Sequence, residues 1–146
     1  MFEAAPFIVL ELTIAPPIDI GVGGRRCMPI VGGRVQGGLE GEVLPGGADW
    51  QTILPDGTLE IDARYAFRTA SGVVVEVAST GVRSGSPEIL AKLASGVRVD
   101  PSAYYFRTFI RLSTAAPELK TLNDRLWLAR GERGPQGVRL EVFEVP

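Results

Sequence analysis

The chain contains no histidine, and its 146 residues include a single cysteine, Cys27. The first absence removes Ser-His-Asp and Cys-His catalysis, histidine-ligated zinc or iron, and the side chain that normally titrates near neutrality. The second removes an intrachain disulfide, a Cys-x-x-Cys redox pair and thiolate metal clusters. No metal site is expected. Catalysis, if there is any, falls to carboxylates, tyrosines, arginines, Lys92 or Lys120, or backbone amides. Phosphate-binding loops are missing as well. Gly21-Val22-Gly23-Gly24 runs into Arg25-Arg26 without completing a G-x-G-x-x-G pattern, and there is no G-K-[ST]. No cofactor is expected. No apolar run approaches the roughly 18 residues that span a bilayer. An excess of one charge is lacking too: 15 basic and 17 acidic residues leave −2, and the basic residues are scattered. Neither nucleic acid nor an anionic membrane is an expected partner. The first ten residues carry Glu3 and Pro6 and no basic cluster, so they read as the approach to a strand rather than a leader. The expected location is the cytoplasm.

What is present is mostly strand. The length suits one domain, 1–146, and 45% hydrophobic with 22% charged residues is ordinary for a globular chain. Phe7 to Ile14 is apolar and β-branched and stops at Pro16-Pro17. Val35 to Leu44 alternates loosely around Gly37, Gly38 and Gly41, where glycine suggests a bulge or bend. Thr58 to Thr69 alternates cleanly and returns through Ala70-Ser71-Gly72 into Val73 to Thr80, a hairpin. Tyr104 to Leu112 is a further strand. Arg125 to Ala129 and Val138 to Val145 form a closing hairpin. Helix signal is thin: Pro87 to Ala94, with Ser86 as N-cap and Gly96 beyond the end, and one turn at Pro117 to Leu122. Seven to nine strands with short connections and 18 glycines predict an all-β fold, a small antiparallel meander barrel, with a two-sheet sandwich as the alternative.

Several motifs put chemistry on these strands. Gly46 to Trp50 (GGADW) follows a glycine-rich stretch; either Asp49 and Trp50 face a ligand, or Asp49 caps a turn and Trp50 fills a barrel mouth. In Ile61 to Tyr65 (IDARY), Asp62 and Arg64 share one face, while Leu59, Ile61, Ala63, Tyr65 and Phe67 share the other. The alternation does not say which face is the lumen. In Tyr104 to Thr108 (YYFRT), Tyr105, Arg107 and Phe109 share a face that suits a phenolic or carboxylate ligand, or that neutralises an internal acid. Tyr104, Phe106, Thr108 and Ile110 make the opposite face. Ser79 to Arg83 adds hydroxyls and an arginine at a turn. Cys27 reads as a small buried hydrophobe.

The ordered set Gly32-Gly33, GGADW, Asp62-Ala63-Arg64-Tyr65, Gly81-Val82-Arg83 and Tyr105-Phe106-Arg107 resembles the family called domain of unknown function 3237, or uncharacterised protein family 0311. The resemblance spans about Phe7 to Val145. It implies a small β-barrel, and it matches the family's polar positions at Asp49, Trp50, Asp62, Arg64, Tyr65, Tyr105 and Arg107. Some fungal relatives resemble cofactor-free ring-closing or isomerising enzymes of aromatic metabolism. Where relatives often carry asparagine before the glycine-arginine turn, this chain has Ser79-Thr80.

The expectation is therefore that the glycines of 32–47 bend one strand over the barrel, so that the next loop sets Asp49 and Trp50 against Asp62 and Arg64. Tyr105 and Arg107 would complete a polar lining. Asp49 or Asp62 would be a general base and Tyr105 an acid or hydrogen-bond donor. Trp50, Arg64, Tyr65 and Arg107 would bind substrate. The expected activity is cofactor-independent isomerisation, cyclisation or lysis of a small aromatic or enolisable carbonyl metabolite. The alternatives are a non-catalytic carrier or sensor, and a structural subunit with a filled barrel. Open strand edges make a homodimer the expected assembly.

Overall fold

Prolines shape the path of the chain at two points. In the computed structural model, which describes residues 2–146, strand β1 (Ile8–Ile14) ends before Pro16-Pro17, which have no amide hydrogen to give the ladder. Strand β2 (Ile18–Asp19) then resumes beside the same neighbour, β3 (Arg25–Gly37). Pro45 divides a second stave in the same way, into β4 (Gly41–Val43) and β5 (Gly47–Ile53), both lying between β3 and β6 (Leu59–Thr69). The rest is a meander: β7 (Val74–Ser84), β8 (Tyr105–Ser113), β9 (Trp127–Arg133) and β10 (Gly137–Glu144). Each pairs antiparallel with its predecessor, and β10 returns to β1. Because β1 also pairs with β3, the sheet closes into an eight-stave antiparallel barrel. The meander barrel expected from sequence is the observed fold.

Some boundaries differ from the sequence reading. The strand expected over Val35 to Leu44 is the end of β3, a turn, and β4. The ring of strands begins that segment ten residues earlier, at Arg25. The turn of the closing hairpin is only 134–136, since β9 extends to Arg133. The loop expected to carry Asp49 is itself a strand, β5. The expected helix is present as α1 (Pro87–Ala94), with the Ser86 side chain accepting from the Ile89 amide at 3.2 Å. A 3-10 turn over Pro117–Leu119 and a short helix α2 (Thr121–Asp124) fill the β8–β9 connection.

Side-chain direction follows from period-two alternation and one bulge. Thr13 faces Gly32, but Ile14 faces Ile30, so Val31 is an extra residue on β3. That residue lets both Ile30 and Val35 point inward although an odd number of positions separates them. Gly33 beside the bulge has φ +141°, and a Cβ there would meet the Glu11 carbonyl, so no other residue fits.

The two ends of the barrel are filled differently. Toward the β6–β7 turn the lumen is solid: Leu10, Val35, Phe67, Val75, Val77, Ile110 and Leu112 are buried. Leu122 plugs this end, and its carbonyl accepts from the Trp127 indole nitrogen at 3.3 Å. Each such large apolar side chain contributes about 1.5–3 kcal/mol by leaving water. Toward the other end the lumen is hollow, and Leu90 and Leu93 of α1 cover its mouth.

The β5–β6 contact at the edge of this hollow is tight. A Cβ on Gly47 would collide with the Tyr65 Cβ. Gly47→Ala is therefore expected to cost about 1–3 kcal/mol, the usual scale of overpacking. A lowered urea midpoint with unchanged far-ultraviolet dichroism would be the readout.

Candidate functional site

The hollow half is a single cavity of about 140 Å³ under α1. Its walls come from the inward positions of every stave. Leu12, Met28, Ile30, Leu59, Ile61, Phe106 and Leu140 make an apolar surround. Polar side chains enter from four strands: Arg26 (β3), Asp49 and Gln51 (β5), Ser79 and Arg83 (β7), and Arg133 (β9). Tyr65 and Thr108 add hydroxyls from β6 and β8.

Asp49 anchors a hydrogen-bonded line across β3 and β5. Arg26 Nε donates to Gln51 Oε1 at 2.6 Å, and Gln51 Nε2 donates to Asp49 Oδ2 at 2.6 Å. The backbone amide of Asp62 donates to Asp49 Oδ1 at 2.9 Å. The carboxylate thus takes a backbone donor from the neighbouring strand β6. Burial pushes the Asp49 carboxyl above the ordinary aspartate range, and the Gln51 and Asp62 hydrogen bonds pull it only part of the way back. Burial also pushes the Tyr65 phenol far up, so it is a neutral donor.

The cations are also strained by desolvation. Burial lowers the Arg83 guanidinium to about 10, and repulsion from Arg26 and Arg133 adds to the shift. Arg26 and Arg133 are lowered as well, burial being the larger cause in each. Arg133 donates to the carbonyls of Gly134 and Gly137, and its amide donates to the Tyr104 hydroxyl at 2.9 Å. Four buried polar atoms have no hydrogen-bond partner among the described residues: Tyr65 Oη, Ser79 Oγ, Arg83 Nε and Thr108 Oγ1. All four belong to residues lining this one cavity. Buried groups are normally satisfied, so four orphans in one place mark an unfilled polar site rather than scattered defects.

Of the residues nominated from sequence, the structure brings Asp49 and Tyr65 to the cavity and leaves the others on the outer surface. Trp50 alternates outward from Asp49 and is 47% exposed. Asp62 and Arg64 are exposed on β6, because Leu59, Ile61, Ala63, Tyr65 and Phe67 take the lumen. Arg64 pairs with Glu76 across the surface at 3.4 Å rather than with Asp62, a contact worth little in water. Tyr105 is exposed, and Arg107 packs over the Tyr105 and Phe2 rings outside the barrel. The expected convergence of the Asp62–Arg64 and Tyr105–Arg107 stripes is corrected: the opposite face of each strand lines the lumen.

Arg26, Gln51, Ser79, Arg83, Thr108 and Arg133 were not nominated. The sequence held a signal for three of them. Leu59 faces Arg83, Ala63 faces Ser79 and Phe67 faces Val75, so the apolar parity of the hairpin carries straight to Ser79 and Arg83. Thr108 shares the apolar face of Phe106 and Ile110. Arg26 and Arg133 had no such marker.

These features define a class: a closed up-and-down β-barrel, plugged at one end and holding a cationic cavity at the other. The chain belongs to the family described as protein of unknown function (DUF3237), whose model matches residues 3–145. It is 44% identical over 128 residues to the UPF0311 protein of Rhodopseudomonas palustris, covering 87% of this chain and 84% of that one. The crystal structure of the Rhodopseudomonas palustris protein, described as a conserved protein of unknown function, matches with a TM-score of 0.93 at 39% identity over 97% and 95% of the chains. A beta-barrel like protein from Acinetobacter baumannii matches at 0.82 and 31% identity, over 97% and 94%. A structure described as an enzyme from Penicillium herquei shares the fold, at 0.70 and 18% identity over 98% and 97%.

The raised pKa of Asp49 makes stability depend on pH. A carboxyl whose folded value lies above its unfolded value binds protons more tightly in the folded state, so stability falls as pH rises between the two. Wild type is expected to lose stability relative to Asp49→Asn as pH climbs from the ordinary aspartate value through that window, then to run parallel to it. Denaturant midpoints of both proteins across the acid range measure this slope, independently of any constant offset from the altered hydrogen bonds.

Proposed function

We propose that the barrel binds a small aromatic or enolisable carbonyl compound and moves a proton on it without a cofactor, as an isomerase, cyclase or lyase does. The observation that carries this reading is the convergence of four unpartnered buried polar atoms beside an aspartate of raised pKa. Asp49 is the general base, its basicity brought toward neutrality by burial. It takes a proton from carbon, and the electron pair moves onto the carbonyl oxygen. Tyr65 donates a hydrogen bond to the resulting enolate or phenolate oxygen, and Arg83 offsets the added negative charge from the other end of the cavity. Returning the proton at a second position completes an isomerisation. The stabilising roles expected of Arg64, Arg107 and Tyr105 belong in this reading to Arg83, with Arg26 and Arg133 beside it, and to Tyr65.

One observation favours the carrier reading. Both Asp49 oxygens already accept hydrogen bonds, from Gln51 and from the Asp62 amide. A carboxylate held in this way serves equally as a fixed wall of a binding site.

The test uses deuterium exchange at the acidic carbon of one-ring keto acids such as phenylpyruvate, followed by proton NMR in heavy water. Wild type is expected to accelerate exchange over buffer by about 10²-fold or more, the scale of one positioned base, and Asp49→Asn to abolish the gain. Exchange that survives in Asp49→Asn removes Asp49 as the base. Binding without any exchange selects the carrier.

A further inference from the structure

Three guanidiniums share this cavity with one carboxylate. Among the described residues, none of the three forms an ion pair. Arg26 and Arg133 satisfy part of their donor capacity on Gln51 and on two carbonyls. Arg83 does not: it is 9% exposed, and its Nε has no partner. Its strand neighbours at this level are Leu59 and Phe106, whose side chains carry neither a counter-charge nor a hydrogen-bond acceptor. An unpaired charge in such surroundings destabilises the fold, and an apolar residue of the same length would pack there at lower cost. The counter-charge that the chain withholds is one that a ligand can bring.

A second group of unmet donors lies deeper. Ser79 is four residues before Arg83 on β7, about 13 Å along an extended strand. Its hydroxyl and that of Thr108 are both fully enclosed, and Tyr65 Oη is enclosed in the same lining. An arginine side chain and one aromatic ring together span that distance. The cavity volume of about 140 Å³ is close to that of a roughly 150 Å³ cavity known to hold benzene. A ring with short polar substituents fits it, and a fused polycycle does not.

We propose that the cavity takes a one-ring organic carboxylate. The carboxylate is gripped by Arg83 between Arg26 and Arg133, and a hydroxyl or carbonyl at the far end of the ring meets Ser79, Thr108 and Tyr65. This names the ligand class of the small-molecule reading above and rests on it. Guanidinium donors match a carboxylate in geometry and charge, and the apolar walls take the ring faces.

The probes are 4-hydroxybenzoate and its uncharged counterpart 4-hydroxybenzamide, titrated calorimetrically into the full chain. Wild type is expected to bind the acid at least about tenfold tighter than the amide, as one buried charged hydrogen bond implies. In Arg83→Met the acid is expected to weaken by about tenfold or more and the amide by much less, so the preference disappears. The thermal midpoint of Arg83→Met is expected to hold or rise, because an unpaired buried charge is gone. Equal binding of acid and amide by wild type overturns the anion assignment and leaves the small-molecule reading standing. Failure of both compounds to bind overturns the two together. An acid preference retained in Arg83→Met, with a lowered midpoint, makes Arg83 structural and overturns its place in the site.

Discussion

Closure of the ladder through β1 is the constraint on which the rest of the molecule depends. β1 is hydrogen-bonded to β10 on one side and to β3 on the other, so the eight staves leave no free edge along the barrel. Once the ring is closed, every strand residue has one of two fates, lumen or solvent, and the choice at one position sets it for the whole strand. The bulge at Val31 is the correction that lets β3 serve both halves of the barrel. Without it, Arg26, Met28 and Ile30 could not face the lumen together with Val35.

The lumen is then divided by what the inward positions carry. In the lower half they are Phe, Val, Leu and Ile, and the space is filled. In the upper half glycine, serine, threonine and arginine occupy comparable positions, and the space is not. Ser79 on β7 leaves room where a larger branched residue would fill it, and Gly81 lets the β8 backbone at Arg107 and Thr108 lie close against β7. The result concentrates desolvated charge and unmet hydrogen bonds in one region while the plugged half supplies the stability. That division is what a site on a rigid frame requires: the packed layers hold the strands, and the strands hold the side chains.

The barrel was legible in the sequence because its signals are local. Period-two alternation, the 70–72 turn, the proline stops and the Ser86–Pro87 helix start each depend on a few neighbouring residues. Asp49 and Tyr65 were legible as members of motifs that resemble a known family. The Asp62, Arg64, Tyr105 and Arg107 positions misled for one reason. A polar stripe on an amphipathic strand looks the same whether it faces water or lines a polar cavity. Polar residues interspersed on the apolar face, such as Ser79, Arg83 and Thr108, were the better sign, because an inward polar group has a purpose that an outward one does not need.

By itself the sequence determined that the chain forms antiparallel strands, that it has no histidine and one cysteine, and that each strand has two distinct faces. Tertiary structure decided which face turns inward, since that depends on where β1 closes the ring and on the bulge that shifts β3. It also decided that Arg26, Arg83 and Arg133, more than a hundred residues apart at their extremes, share one enclosed volume with Asp49. Burial, and with it the shifted acidity of Asp49 and Arg83, is a property of that enclosure. No stretch of the chain encodes it alone, because low dielectric arises only when all eight staves stand around the same space.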